Sequence, residues 1–272
     1  MLLGFTLASL LLIGGLSYYL LIYPRQKIKK IISQPFPPQW QQYLQENVSF
    51  YQQLPDPIKQ RLHQLILLFV AQKKFYGCAD LTITDEIKVT IAAQACLLVV
   101  GRPDNWYDKL QSILVYPGSF QLHGENTDDI HHASPEIRLG ESWQNGRIIL
   151  SWHDVKFGGL YPDDGHNVTF HEFAHQLDTA DGYADGLPQL AINQSYNVWT
   201  QVFAEEFHRL RTNALNGNNS VMDYYGATNP AEFFAVATET FFEKPHAMAH
   251  EQPELFEQLT EFYKLDPREW QH

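Results

Sequence analysis

The run His171-Glu172-Phe173-Ala174-His175 sets two imidazoles and a carboxylate at a spacing suited to hydrolytic chemistry. On a helix, side chains four residues apart share a face, so both rings can reach one ion while Glu172 projects toward the position that the ion leaves open. A zinc ion lowers the pKa of a coordinated water toward neutrality, and a carboxylate beside it can take the proton. The pattern is the minimal kit of a zinc hydrolase, with one Zn2+ per chain, His171 and His175 as metal ligands and Glu172 as general base. Val168, Phe170, Phe173, Ala174 and Leu177 surround the histidines with apolar positions, which predicts a helix packed into a core.

A third protein ligand must come from elsewhere, and three downstream carboxylates qualify. Asp181 is nearest, but Asp178 stands where a compact site of that kind has a glycine to turn the chain under the metal. Glu232 and Glu239 lie seven apart on one predicted helix and share a face, so one is expected to touch the metal and the other to orient a ligand from behind. Glu232 is favoured, because a second helix bringing a glutamate to H-E-x-x-H is a common zinc peptidase arrangement. It has a competing reading: with Asn229 as N-cap and Pro230 at the first helical position, Glu232 falls at the third position of a capping box. Tyr225, seven residues before Glu232, could aim its phenol at the oxyanion formed during peptide hydrolysis. Asp178, one turn after His175, is a candidate acceptor for a ligand's second ring nitrogen.

These segments carry a resemblance. Ile91-Ala-Ala-Gln-Ala-Cys-Leu-Leu98, Val115-Tyr116-Pro117, Ile149-Leu150-Ser151-Trp152, His171 to Asp178 and Asn229 to Glu239 resemble the Mlc titration factor A family of zinc-dependent peptidases, from about residue 55 through Asp266-Pro267. The resemblance implies a gluzincin-like site with His171, His175 and Glu232 as ligands, Glu172 as base and Tyr225 assisting. The catalytic domain of anthrax lethal factor is similar in placing a tyrosine seven residues before its glutamate ligand. The resemblance also implies binding of the glucose-responsive repressor Mlc, so a regulatory protein that sequesters a repressor is the alternative function. The first reading is a metallopeptidase acting on peptides or proteins, aminopeptidase action on chain ends included.

The elements that must hold these residues can be outlined. Asp56-Pro57 opens a helix to about Lys74, Leu81 to Thr84 suggests a short strand, and Asp85 opens a helix ending before Gly101. Strands are expected near 113–116 and 147–154, then the motif helix at about 167–178, a helix near 194–212 and the Glu232 helix to about 243. The fold class expected is α+β, a helix-dominated zincin-like domain with a small sheet. Gly146 to Trp152 could present an edge to an extended substrate, or be an interior strand. His131 and His132, in the acidic loop from His123 to His132, read as surface rather than as ligands.

Residues 2–23 carry no charge and are long enough to read as a transmembrane helix, with Tyr18, Tyr19 and Tyr23 gathered near one end. Arg25, Lys27, Lys29 and Lys30 follow, which predicts a single-pass inner-membrane protein whose catalytic domain faces the cytoplasm. The domains expected are an anchor at 1–24, a basic flank and Pro-containing spacer at 25–55, and a peptidase domain at 56–272. Two cysteines, Cys78 and Cys96, are too few for a disulfide framework. With 31 acidic against 19 basic residues, a net charge of −12 and no basic stripe, nucleic acid is not an expected partner.

Overall fold

The computed structural model describes residues 18–102, 107–118 and 146–271. The chain is a helix-dominated α+β fold built on a small parallel sheet. Helices α1 (Tyr23–Ile32), α2 (Pro38–Asn47) and α3 (Asp56–Gln72) precede strand β1 (Lys74–Gly77), helix α4 (Asp85–Leu97), and strands β2 (Ser112–Tyr116) and β3 (Arg147–Ser151). Helix α5 (Trp152–Leu160) follows β3 directly, and α6 (Val168–Asp178) carries the two histidines. Helices α7 (Tyr196–Asn216), α8 (Pro230–Glu243), α9 (Pro245–Glu251) and α10 (Pro253–Tyr263) complete the described elements.

The strands run in the order β1-β2-β3, with Phe75 opposite Ile113 and Ile113 opposite Ile148. Among the described residues β3 therefore lies at one end of the sheet. Parallel strands need a crossover, and α4 supplies the one from β1 to β2. Thr84 caps α4 by accepting from Ile87 N–H, and Val89 through Leu97 are all buried against α3, α5 and α6. The strand expected at 81–84 is not formed. The chain turns back after β1 through Ala79 and Asp80, both with positive φ, and Gly77 leaves room for the carbonyl of Leu81 to fold over it.

Aromatic packing fixes where α6 and α8 sit. Phe173, fully buried on α6, meets Tyr107 at 4.9 Å and Phe69 of α3 at 5.7 Å between ring centroids. On α8, Phe234 lies 6.0 Å from Trp199 of α7 and 5.6 Å from Phe262 of α10. Each such ring contributes about 1.5–3 kcal/mol by leaving water. Every residue of α8 from Ala231 to Glu243 is buried, so any charged group on that helix needs a compensating partner.

The N-terminal region corrects two expectations. Among the described residues no helix is long and apolar enough to cross a membrane. A span takes about 20 apolar residues. The described part of the uncharged stretch is one π-helical turn, Tyr18–Ile22, which runs straight into α1 with Pro24 and the cations Arg25, Lys27, Lys29 and Lys30. Residues 1–17 of the expected span lie outside the described residues, as does the loop from His123 to His132. The transmembrane helix, the membrane partner and the single-pass placement deduced from it are therefore not supported. Residues 38–54, expected within the spacer, form α2 and a 3-10 turn that add Leu44, Val48, Phe50, Tyr51 and Leu54 to the core.

Candidate metal centre

The centre is assembled by α6 and α8, packed along one another. Asn167 starts α6, its side-chain oxygen accepting from Thr169 N–H at 3.1 Å and Phe170 N–H at 3.0 Å. Its amide donates to Gly158 O at 3.1 Å, tying α6 to α5. A Cβ at Gly158 would come within 2.9 Å of the Asn167 side chain, so the two helices meet through a glycine. From this cap, helical periodicity carries Phe170, Phe173, Ala174 and Leu177 into the core and brings His171 and His175 toward α8.

Helix α8 meets them with Glu232. Its Oε2 lies 3.0 Å from His171 Nε2 and 3.4 Å from His175 Nε2, and the two ring nitrogens are 3.2 Å apart. All three ligand atoms fall within 4.8 Å of one another. Ligands at the usual zinc distances of about 2.0–2.1 Å on a tetrahedron are separated by about 3.3 Å, so these spacings suit a shared metal ion of that size. The donor set, two imidazoles and a carboxylate, is that of a zinc site with an open position. Glu232 Oε2 is buried, and neither facing ring meets it in hydrogen-bond geometry, as expected of an acceptor oriented to a cation. Residue and group therefore fit.

The capping alternative for Glu232 is half realised. Asn229 accepts from Glu232 N–H at 3.0 Å, which starts α8, while the Glu232 carboxylate is turned to the rings. Burial would raise the Glu232 pKa, but the His171 and His175 rings outweigh it and hold the carboxyl at about 2. Burial would lower that of His171, and Glu232 and Glu239 reverse this, raising it to about 10 in the metal-free chain.

Glu239 stands behind the site. Its Oε1 accepts from His171 Nδ1 at 2.7 Å, so Nε2 is the nitrogen presented to Glu232, and its Oε2 accepts from Asn167 N–H at 2.6 Å. One carboxylate thus orients both a candidate ligand and the start of the helix that bears it. Four residues on, Glu243 accepts from Gly165 N–H at 3.1 Å, and burial raises its carboxyl pKa to about 9. Asp178 does not take the role considered for it. Its Oδ2 accepts from Gly186 N–H at 3.0 Å, and burial raises its pKa to about 7. Asp181 is exposed in a 3-10 turn and accepts from Tyr183 N–H, apart from the triad.

Glu172 is buried on α6 between the histidines. Tyr225 lies in the 3-10 turn Tyr224–Ala227, which Asp223 caps by accepting from Tyr225 N–H at 2.7 Å. Its half-exposed ring is 5.9 Å from that of His171. Tyr225 and His171 line one cleft of 420 Å³ together with Asp154, Phe157, His166 and Asp223. Tyr224 turns away and donates to Asn218 O. Sequence reasoning brought together His171, His175, Glu232 and Tyr225, but missed Asn167 and Glu243. Asn167 carried a readable signal as an Asn just before an apolar helix, and Glu243 as a carboxylate one turn beyond Glu239.

Comparison with known proteins agrees with this geometry. Residues 23–264 match the family described as glucose-regulated metallo-peptidase M90. An uncharacterized protein of Synechocystis is 41% identical over 268 residues, covering 96% of this chain and 98% of that protein. Proteins of Yersinia pestis and Yersinia pseudotuberculosis named Mlc titration factor A are 29% identical over 238 residues, covering 84% of this chain and 85% of theirs.

Proposed function

The chain belongs to the glucose-regulated metallopeptidase family M90, and from that premise we propose that it hydrolyses peptide bonds at the centre formed by His171, His175 and Glu232, with zinc as the metal. The observation that carries this reading is the convergence of those three ligand atoms within 4.8 Å of one another, with Glu172 on the same helix as the two histidines and His171 lining an open cleft. Zinc held there supplies a water of near-neutral pKa and polarises a carbonyl. Glu172 takes the proton from the attacking water and returns it to the leaving amine. Tyr225, on the rim of the cleft, donates its phenolic hydrogen to the oxygen that becomes negative as the carbonyl turns tetrahedral. Glu239 keeps the His171 ring in one tautomer and one orientation throughout. We propose chain ends among its substrates, as an aminopeptidase would take them.

The test is zinc content and hydrolysis of a mixed peptide library by the full chain, wild type beside Glu172→Gln. One zinc per chain in both, with cleavage only by wild type, is the expected result. Equal cleavage by the variant would remove Glu172 as base, and a chain that binds no zinc would remove the site. The name of the Yersinia relatives favours a second activity, binding of a repressor of the Mlc type. Retained zinc with no cleavage by either protein would move the reading toward that binding role.

A further inference from the structure

Beside the centre, the segment 164–167 is tied down by hydrogen bonds to its backbone. Gly165 N–H and Asn167 N–H are accepted by the buried carboxylates of Glu243 and Glu239, one turn apart on α8. Lys244 Nζ donates to Asp164 O at 2.7 Å, and His166 N–H is accepted by the Asp164 side chain at 2.8 Å. Four consecutive residues are thus anchored through their backbone, and the only long side chain among them left facing outward is that of His166. Its ring lines the cleft shared with His171 and Tyr225.

Across the cleft, Asp223 uses one oxygen to cap the turn that carries Tyr225, and its other oxygen faces His166 Nε2 at 3.7 Å. That separation is too long for a hydrogen bond. The carboxylate lies beside the ring without a hydrogen bond to Nε2, so that nitrogen can donate to a third group. Phe157, Val168 and Val236 make the neighbouring wall apolar. A polypeptide lying in such a cleft brings apolar side chains to that wall and carbonyl oxygens that need donors to replace water.

We propose that His166 is a substrate-binding residue, donating from its ring to a main-chain carbonyl of the peptide bound beside the scissile bond, with Asp223 holding the ring in place. This rests on the peptidase reading above and adds its recognition side. The anchoring gives the two buried carboxylates a role: it sets the position of the His166 backbone relative to α8, which carries Glu232.

Two measurements test it. In zinc-loaded wild type, His166→Ala is expected to lower kcat/KM at least tenfold with zinc content unchanged, and His166→Gln, which keeps an N–H donor, to recover part of the loss. Asp223→Asn retains the cap on Tyr225 but not the charge, and is expected to cost less than His166→Ala. In the inactive Glu172→Gln background, binding of a fluorescent peptide of mixed sequence is expected to weaken about tenfold on adding His166→Ala. Unchanged peptide binding there overturns the role of His166, whatever wild type does. Absence of cleavage by wild type, with peptide binding still sensitive to His166→Ala, would count against the peptidase reading and leave the recognition role standing.

Discussion

Glu239 offers the sharpest single perturbation, because one buried carboxylate serves two donors on different parts of the motif. His171 Nδ1 approaches one oxygen at 2.7 Å and Asn167 N–H the other at 2.6 Å. In Glu239→Gln the shape is kept, but one oxygen becomes an NH2 group. Whichever way the amide turns, an N–H then faces an N–H. A charge-assisted hydrogen bond of this kind contributes about 1.5–3 kcal/mol, and the donor left without a partner costs a further 1–3 kcal/mol or so when buried. If the amide keeps Asn167, His171 loses its restraint and zinc affinity falls. If it keeps His171, the start of α6 loosens and the loss appears in stability. Removing a partner that orients a metal-bound histidine typically weakens affinity about 10–100-fold, or roughly 1.4–2.7 kcal/mol. The assay is a competition titration of zinc against a chromogenic chelator, run beside urea unfolding of the metal-free protein. The expected outcome is a tenfold or greater loss of zinc affinity where the amide keeps Asn167, or a stability loss of about 2 kcal/mol where it keeps His171. Zinc affinity within about twofold of wild type at normal stability would refute the reasoning.

The junction of α5 and α6 is tested by Asn167→Ala, which removes the cap on two N–H groups and the tie to Gly158; a loss of about 1–2 kcal/mol is expected in urea unfolding, with Gly158→Ala destabilising through the same contact. Burial raises the Asp178 pKa to about 7, and one of its oxygens is buried with no hydrogen-bond partner. A carboxyl raised in the folded state is protonated there while already ionised in the unfolded chain, so its penalty grows as pH rises from about 4 and is complete above about 7. Asp178→Asn should therefore raise the urea midpoint at pH 8 and change it little at pH 4, and an equal effect at both values would show that the proton is not involved.

How much of this was legible beforehand differs from element to element. The start of α8 is legible because capping is local: the Asn229-Pro230 pair announces it by its own chemistry. The strand was misplaced from Lys74–Gly77 to residues 81–84, because apolar composition marks both segments and only the turn at Ala79 and Asp80 decides which one enters the sheet. The N-terminal stretch reads as a membrane span from its lack of charge, its length, its clustered tyrosines and the basic flank, whereas the described portion is one turn leading into a basic helix. Residues 38–54 look like a proline-marked spacer, yet Leu44, Val48 and Phe50 are buried, a fact that depends on where α4 and α5 lie.

At the centre itself, the spacing of His171, Glu172 and His175 determined that two rings would share a helix face, since 3.6 residues per turn permits nothing else. The seven-residue spacing likewise put Glu232 and Glu239 on one face of α8 without saying which would meet the rings. Only packing decided that. Phe173 against Phe69 and Tyr107, and Phe234 against Trp199 and Phe262, set the helices so that Glu232 faces the two Nε2 atoms while Glu239 reaches behind to Nδ1 of His171. Local chemistry is written in neighbouring residues, whereas the carboxylate that meets His171 Nδ1 stands 68 positions away and is brought there by the packing of the aromatic core.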